Sequence, residues 1–322
     1  MRELSAMIVA FAISAVMTKA LLPALRRLKF GQNVYELAPE AHQKKQGTPI
    51  MGGLAIAGGG ILSALLFLFT NGDDPAPGLA FLALALGNLA IGFVDDMTKI
   101  RRGKNGGLTA KQKLVFQTGL AFAFSFWCAL RPDVGTAIRI PFLRTELDLG
   151  RLYIPLMTFV IVGTTNSANL LDGLDGLLSS VALVDFGTLA FLAAAFAVPG
   201  LSSGCAALMG GCMGFLLFNS HPAAVFMGDT GSMFIGGAIS AAALLLREPL
   251  LLILIAFWMM MSIVSDLIQF AYFRKTHGKR FFKMAPIHHH FELCGLSETK
   301  IVTMYQVTTI ALCALALMGT VA

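Results

Sequence analysis

Charge is what this 322-residue chain has least of: Asp, Glu, Lys and Arg make up 13% of it, against roughly 25% in an ordinary soluble domain. With 56% hydrophobic residues and a mean hydropathy of +0.75, that scarcity excludes a water-soluble globular protein. Paired cysteines are missing as well. Cys128, Cys205, Cys212, Cys294 and Cys313 form no CxxC, so neither a zinc ribbon nor a disulfide framework is indicated. No low-complexity tail or internal repeat is visible, and little chain is left over for a separate soluble domain. A cleaved secretory leader is not expected, because the basic cluster Arg26, Arg27 and Lys29 follows the first apolar run instead of preceding it.

What the chain does have is apolar runs. Ten stretches, near 3–24, 50–70, 79–94, 112–130, 152–168, 177–198, 203–218, 231–246, 249–273 and 301–321, approach the roughly 20 residues that cross a bilayer. The expected fold is an all-α integral membrane protein of about ten transmembrane helices, one polytopic domain over 1–322. The 203–218 stretch is short enough to be a buried or re-entrant segment instead. With ten alternating spans, 17 of the Lys and Arg residues fall on one side and six on the other. The positive-inside rule then puts both termini outside. The external loop at 131–151 alternates polar and apolar residues around Gly135 and Pro141, which predicts a small hairpin with a solvated charged face. The net charge of +6 suits an anionic leaflet and anionic ligands. Its basic residues sit in short juxtamembrane loops, which argues against a nucleic-acid partner.

Five polar islands break the apolar pattern, and all five fall on the side assigned to the cytoplasm: HQKKQGTPIMGG at 42–53, FVDDMTK at 93–99, NSANLLDGLDG at 166–176, FNSHPAAVFMGDTGS at 218–232 and PIHHHFEL at 286–293. Ionisable groups beside hydrocarbon are expensive and usually functional. Asp95 and Asp96 end a span as adjacent carboxylates, with Lys99 one turn on and Lys111 and Lys113 beyond. Such a set suits a divalent cation held partly by substrate phosphate; solvation of a helix end is the plain alternative. Asn166, Asn169, Asp172 and Asp175 recur every three residues, so a helical turn there would align them. Gly173 and Gly176 permit close approach, and a helix starting near Asp175 would aim free amides at an anion. Asn219, His221, Asp229, Thr230 and Ser232 repeat the theme. His288, His289 and His290 lack the cysteine or HxxxH partner that a zinc site needs. They and their basic neighbours match a pyrophosphate-bearing ligand better than an inert surface. A cation-coupled transporter is the alternative from another class; its carboxylates would lie near the bilayer midplane.

HQKKQGTPIMGG, IGFVDDMTK, NLLDGLDGL, FMGDTGS and above all APIHHHFEL resemble, in order and over about Arg26 to Lys300, the bacterial phospho-N-acetylmuramoyl-pentapeptide-transferase family. That family lies within the polyprenyl-phosphate N-acetylhexosamine-1-phosphate transferase superfamily, glycosyltransferase family 4. The DDMTK and DGLDG strings are shared across the superfamily and imply reaction type, whereas PIHHHFEL implies the muramoyl-pentapeptide branch. The resemblance implies transfer of phospho-MurNAc-pentapeptide from UDP-MurNAc-pentapeptide to undecaprenyl phosphate, giving lipid I and UMP with Mg²⁺. It also implies a homodimer in the bacterial cytoplasmic membrane. The expected catalytic residues are Asp95, Asp96, Asp229 and His288, with Asp229 binding metal alongside Asp95 or Asp96. Substrate contacts are expected from Lys45, Lys99, Lys111, Lys113, Asn166, Asn169, Asp172, Gly173, Leu174, Asp175, Asn219, Phe226, Gln269, His289 and His290. Phe226 would offer a ring for uracil to stack on. The chain departs from the family pattern at Ile50 and Leu171, where threonine is usual, so any hydrogen bond made by those threonines is missing here.

Overall fold

A computed structural model describes residues 1–27, 45, 47–69, 74–102, 106–143 and 145–321. His42, Gln43, Lys44 and Gln46 of the first island lie outside the described residues, as do Lys29, Lys104 and Arg144. The helices are α1 (Arg2–Arg27), α2 (Gly53–Leu68), α3 (Ala76–Arg102), α4 (Ala110–Leu130), α5 (Tyr153–Leu171), α6 (Leu177–Ala195), α7 (Pro199–Asn219), α8 (Gly228–Leu245), α9 (Leu252–Ile255), α10 (Phe257–Lys275), α11 (Ile287–Leu293) and α12 (Glu298–Val321). In hydrocarbon a backbone must satisfy its own polar groups, which is why apolar runs of this length fold as helices.

Every one of the ten apolar stretches appears in this list as helix, but not with equal reach. Among the described residues, seven helices are long and apolar enough to cross a membrane: α1, α3, α4, α5, α6, α7 and α12. The chain is thus an all-α, multi-pass membrane protein. The 203–218 stretch, expected to be the doubtful one, belongs to a full-length helix of 21 residues, because Pro199 starts it four residues earlier. The broken span lies elsewhere. Pro249–Ile255 and Phe257–Lys275 meet at Ala256 with a bend of 84°. Two further apolar helices are shorter, α2 with 16 residues and α8 with 18.

Helix α8 is the axis of the fold. Every residue from Thr230 to Leu245 is buried, and it packs chiefly on α3 and α5, with α2 and α6 completing the sheath. Small residues allow this, since helix association in lipid rests on close backbone packing. A methyl group placed on Gly53 of α2 would lie 2.2 Å from the Gly231 Cα, and one placed on Gly92 of α3 would lie 2.2 Å from the Asp229 carbonyl oxygen.

The expected hairpin is present. Strands β1 (Ala137–Ile140) and β2 (Thr145–Asp148) pair antiparallel with Ala137 opposite Asp148 and Arg139 opposite Glu146. Arg247 pins it from the end of α8, donating to Glu146 Oε2 at 2.6 Å and to the Ala137 carbonyl at 3.1 Å. Its charges are therefore partly structural ties and not only a solvated face.

Candidate active site

The site lies at the other end of the bundle from the hairpin. Its residues come from the C-terminal ends of α3, α5 and α7 and the N-terminal ends of α4, α6, α8 and α12, as an up-and-down bundle requires if all are to meet on one face. Three of the five islands supply acids to it.

Asp95 and Asp96 of α3 meet Asp229 in the first turn of α8, with one carboxylate oxygen from each within 4.8 Å of the others. The backbone dictates the approach. Gly228 sits at φ +74, a conformation that side chains rarely adopt, and a Cβ there would lie 2.6 Å from Asp96 Oδ2. Asp96 Oδ2 accepts from the Thr230 amide at 2.9 Å and hydroxyl at 2.7 Å, so the start of α8 orients it. Asp95 Oδ1 accepts from the Leu108 amide at 2.8 Å. That contact anchors the start of α4, where Thr109 and Gln112 form a capping box.

Lysines balance these acids. Lys99 Nζ lies 2.7 Å from Asp95 Oδ2, 3.0 Å from Asp229 Oδ2 and 3.5 Å from Asp96 Oδ1. Lys113 Nζ reaches Asp229 Oδ2 at 2.6 Å. Asn169 donates to Asp229 Oδ1 and to Ser232 Oγ, both at 2.8 Å. Lys111 is exposed on the same first turn of α4. Three hard carboxylate oxygens converging at this distance suit a small divalent cation, so Asp95, Asp96 and Asp229 form a credible metal-holding set.

The 166–175 run does not form one aligned face. Helix α5 ends at Leu171, and Asp172 (φ −76, ψ 50) leads into a turn that closes at Gly176, where α6 begins. Asn166 instead donates to Gln117 Oε1 at 2.9 Å. Asp175 turns away from the first cluster toward Lys45, His221 and Glu298. Its Oδ1 accepts from Lys45 Nζ at 2.7 Å, and its Oδ2 accepts from the Ala223 amide at 3.0 Å and lies 3.1 Å from His221 Nδ1. The amide of Asp175 is not aimed at an anion either, because it donates to Glu298 Oε1 at 2.6 Å. Asp172 is half-buried near both groups. Burial, reinforced by the charges of Asp229, Asp96 and Asp175, pushes its carboxyl up to about 8. For Asp175, burial is outweighed by the hydrogen bonds from Lys45 and the Ala223 amide, which hold it below its ordinary value.

The three histidines of α11 diverge, as adjacent residues on a helix must. His288 is fully buried with its Nε2 against Gly173, where an added Cβ would lie 2.2 Å away. His289 Nδ1 pairs with Glu292 Oε2 at 2.7 Å. His290 Nδ1 accepts from the Lys283 amide at 3.1 Å. Gln269 uses its side-chain oxygen to hold the amides of Phe281 and Phe282, at 3.1 and 2.9 Å. Asn219 is likewise committed, accepting from Ser179 Oγ and donating to the Val225 carbonyl, both at 2.9 Å. It thereby fixes the loop that carries Phe226, whose backbone pairs with Pro49 and Gly52. Leu174 and Leu171 are buried in the core, and Ile50 packs against it.

Gln117 and Glu298 were not among the expected site residues, and Thr230 was expected only as part of the acidic turn around Asp229, with no role of its own. Thr230 sits in the GDTGS string and was the most legible of the three. Glu298 opens the last apolar run, where a lone acid reads as a helix-terminus charge.

A polytopic helical bundle with its carboxylate and lysine cluster gathered at one end fits a membrane transferase better than a transporter with its acids at mid-span. Residues 78–247 match the family Glycosyl transferase family 4. The chain is also 44% identical, over 297 residues covering 92% of it and 91% of the relative, to the phospho-N-acetylmuramoyl-pentapeptide-transferase of Bacillus anthracis (strain A0248). Those of Bacillus thuringiensis (strain Al Hakam) and Bacillus cereus (strain AH187) match to the same extent. The chain belongs to the phospho-N-acetylmuramoyl-pentapeptide-transferase family within glycosyl transferase family 4.

Proposed function

We propose that this membrane enzyme catalyses the first membrane step of peptidoglycan biosynthesis. It transfers phospho-MurNAc-pentapeptide from UDP-MurNAc-pentapeptide to undecaprenyl phosphate, giving lipid I and UMP. The observation that carries this reading is the meeting of Asp95, Asp96 and Asp229 with Lys99 and Lys113 at one end of the bundle. One substrate is a membrane lipid and the other a soluble nucleotide, so their reaction requires a charged site at a membrane edge.

In the chemistry proposed, an oxygen of the lipid phosphate bonds to the sugar-side phosphorus. The bond from that phosphorus to the bridging oxygen breaks, and UMP leaves with the electron pair. Asp95, Asp96 and Asp229 would hold Mg²⁺, which when bound offsets negative charge on the diphosphate and the departing UMP. Lys99 and Lys113, now hydrogen-bonded to those carboxylates, would turn their remaining donors to phosphate oxygens. Asp95 serves as base or positioning group for the lipid phosphate, which needs little help because its second ionisation lies near pH ~6. The 172–176 turn, with Lys45, Asn169 and Asn219, frames the nucleotide, and Phe226 offers its ring to uracil. His288, seated over Gly173, and His289 and His290 face the phosphosugar region.

The membrane arrangement follows. The seven long helices, the bent pair, α2 and α8 make ten crossings, with both termini outside and the acidic end in the cytoplasm. The site then faces the cytoplasm from the bacterial inner membrane, and the protein works as a homodimer.

UMP release from UDP-MurNAc-pentapeptide, measured with and without undecaprenyl phosphate and Mg²⁺, tests the reading. Release that needs both supports it. Equal turnover of UDP-GlcNAc, or no release at all, overturns it. A labelled phosphoprotein formed from the sugar nucleotide alone would replace the single displacement with a covalent intermediate on an aspartate.

A further inference from the structure

We infer that Glu298 is a positioning residue for the nucleotide end of the substrate, holding Lys45 and the 172–176 turn in one fixed arrangement. This rests on the functional reading above and adds a residue to it. An acid in the first turn of a helix ordinarily serves that helix's own amides. Here Ser297 does that work, with its hydroxyl accepting from the Lys300 amide at 3.4 Å and its carbonyl from the Ile301 amide at 3.0 Å. The Glu298 side chain points elsewhere. Its Oε1 accepts from Lys45 Nζ at 2.5 Å and from the Asp175 amide at 2.6 Å, and its Oε2 lies 3.2 Å from His221 Nδ1.

Those contacts join four segments that are distant in sequence: the loop at Lys45, the turn between α5 and α6, the loop at 221–223 and the start of α12. Asp175 alone could neutralise Lys45, so a second carboxylate is not needed for charge. What Glu298 adds is geometry. An ammonium has three donors, and Asp175 and Glu298 each take one of them. The third is thereby aimed, and it is the one that a uridine or phosphate oxygen would accept. Burial would lower the affinity of Lys45 for its proton, but these two carboxylates more than offset that and keep it charged. By also holding the Asp175 amide, Glu298 fixes the turn whose Gly173 lies under His288 and whose Gly176 starts α6 at φ +75.

The experiment measures UDP binding by calorimetry, together with turnover, on the purified full chain and its Glu298→Gln, Glu298→Asp, Lys45→Met and Glu298→Gln/Lys45→Met variants. Glu298→Gln keeps the shape but weakens the charged acceptor. It should lower UDP affinity about tenfold and raise KM for UDP-MurNAc-pentapeptide to match, with kcat and KM for undecaprenyl phosphate shifted less than about threefold. The double variant should lose less UDP affinity than the two single losses combined, because Glu298 acts in part through that lysine. Glu298→Asp retains the charge at shorter reach and should fall between wild type and Glu298→Gln. If Glu298→Gln does not fold, Glu298→Asp carries the same comparison. UDP affinity within twofold of wild type, a loss confined to kcat, or full additivity with Lys45→Met overturns the assignment. Wild-type protein that neither binds UDP nor releases UMP overturns the functional reading itself, which separates the two failures.

Discussion

The carboxylate cluster depends on how closely α3 approaches α8, and Gly92→Ala tests that dependence without touching an ionisable group. A methyl carbon on Gly92 would lie 2.2 Å from the Asp229 carbonyl oxygen, 2.5 Å from its carbon and 2.8 Å from the Thr230 amide nitrogen. Ordinary contact begins near 3.4 Å, so the two helices must part by about 1 Å locally. All three atoms are backbone, and no rotamer change can absorb the strain. Asp95 and Asp96 follow Gly92 by three and four residues and share its face, so they move with it, away from Asp229. Overpacking of this kind costs about 1–3 kcal/mol, which a bundle with so large a core should survive. A misplacement of about 1 Å among catalytic groups costs on the order of 10²-fold in rate. The assay is UMP release at saturating substrates across a Mg²⁺ titration. Gly119→Ala in α4 serves as control, since its Cβ would meet nothing within 4 Å. A folded Gly92→Ala protein that turns over within threefold of wild type would refute the argument that this crossing sets the site.

Two other outcomes are expected. Asp229→Asn removes the carboxylate that Lys113 shares with Lys99, which keeps Asp95 and Asp96, and takes one of three carboxylates from the metal-holding set; turnover should fall on the order of 10³-fold with the melting temperature little changed. Near-normal turnover would refute the metal assignment, and Mn²⁺ binding followed by electron paramagnetic resonance should weaken in parallel. At the hairpin end, burial pushes the carboxyl of Glu248 up to about 7, against the attraction of Arg139 and Arg247. A carboxyl raised from 4.5 in this way binds its proton more tightly when folded, so stability is highest below about 4.5 and declines as pH rises through about 7, by at most on the order of 3 kcal/mol. Glu248→Gln should abolish that part of the decline, and thermal melts of the two proteins that run parallel from pH 5 to 8 would disprove it.

Much of the architecture could be read directly because hydrocarbon imposes one rule on every span: an apolar run near the bilayer's thickness folds as helix. Where that rule is silent, reading failed. Nothing in the uniformly apolar LLILIAFWMM marks Ala256 as the site of an 84° bend, because residues on both sides are equally at home in lipid. Conversely, Pro199 extends α7 beyond the apolar window, since the first turn of a helix tolerates both proline and polar neighbours. The acids of the site were visible as costly charges in an apolar chain, and Asp95, Asp96 and Asp229 do meet. Their pairing was less visible. The three-residue spacing of Asn166, Asn169, Asp172 and Asp175 suggested one face, but the Asp172–Gly173 step ends α5, and Asp175 goes to Lys45. Glu298 reaches Asp175 across 123 positions of chain, a separation at which no local pattern carries a signal.

Helix α8 has no outward side. A span such as α1 or α12 turns part of its circumference to solvent or lipid, where one greasy residue can replace another at small cost; α8 is enclosed by α2, α3, α5 and α6 from Thr230 to Leu245. Drift in its sequence is therefore confined on every side, and confined most by volume, since glycine and alanine set the spacing. The helix that delivers Asp229 is in this sense a template on which the rest of the membrane domain is cast.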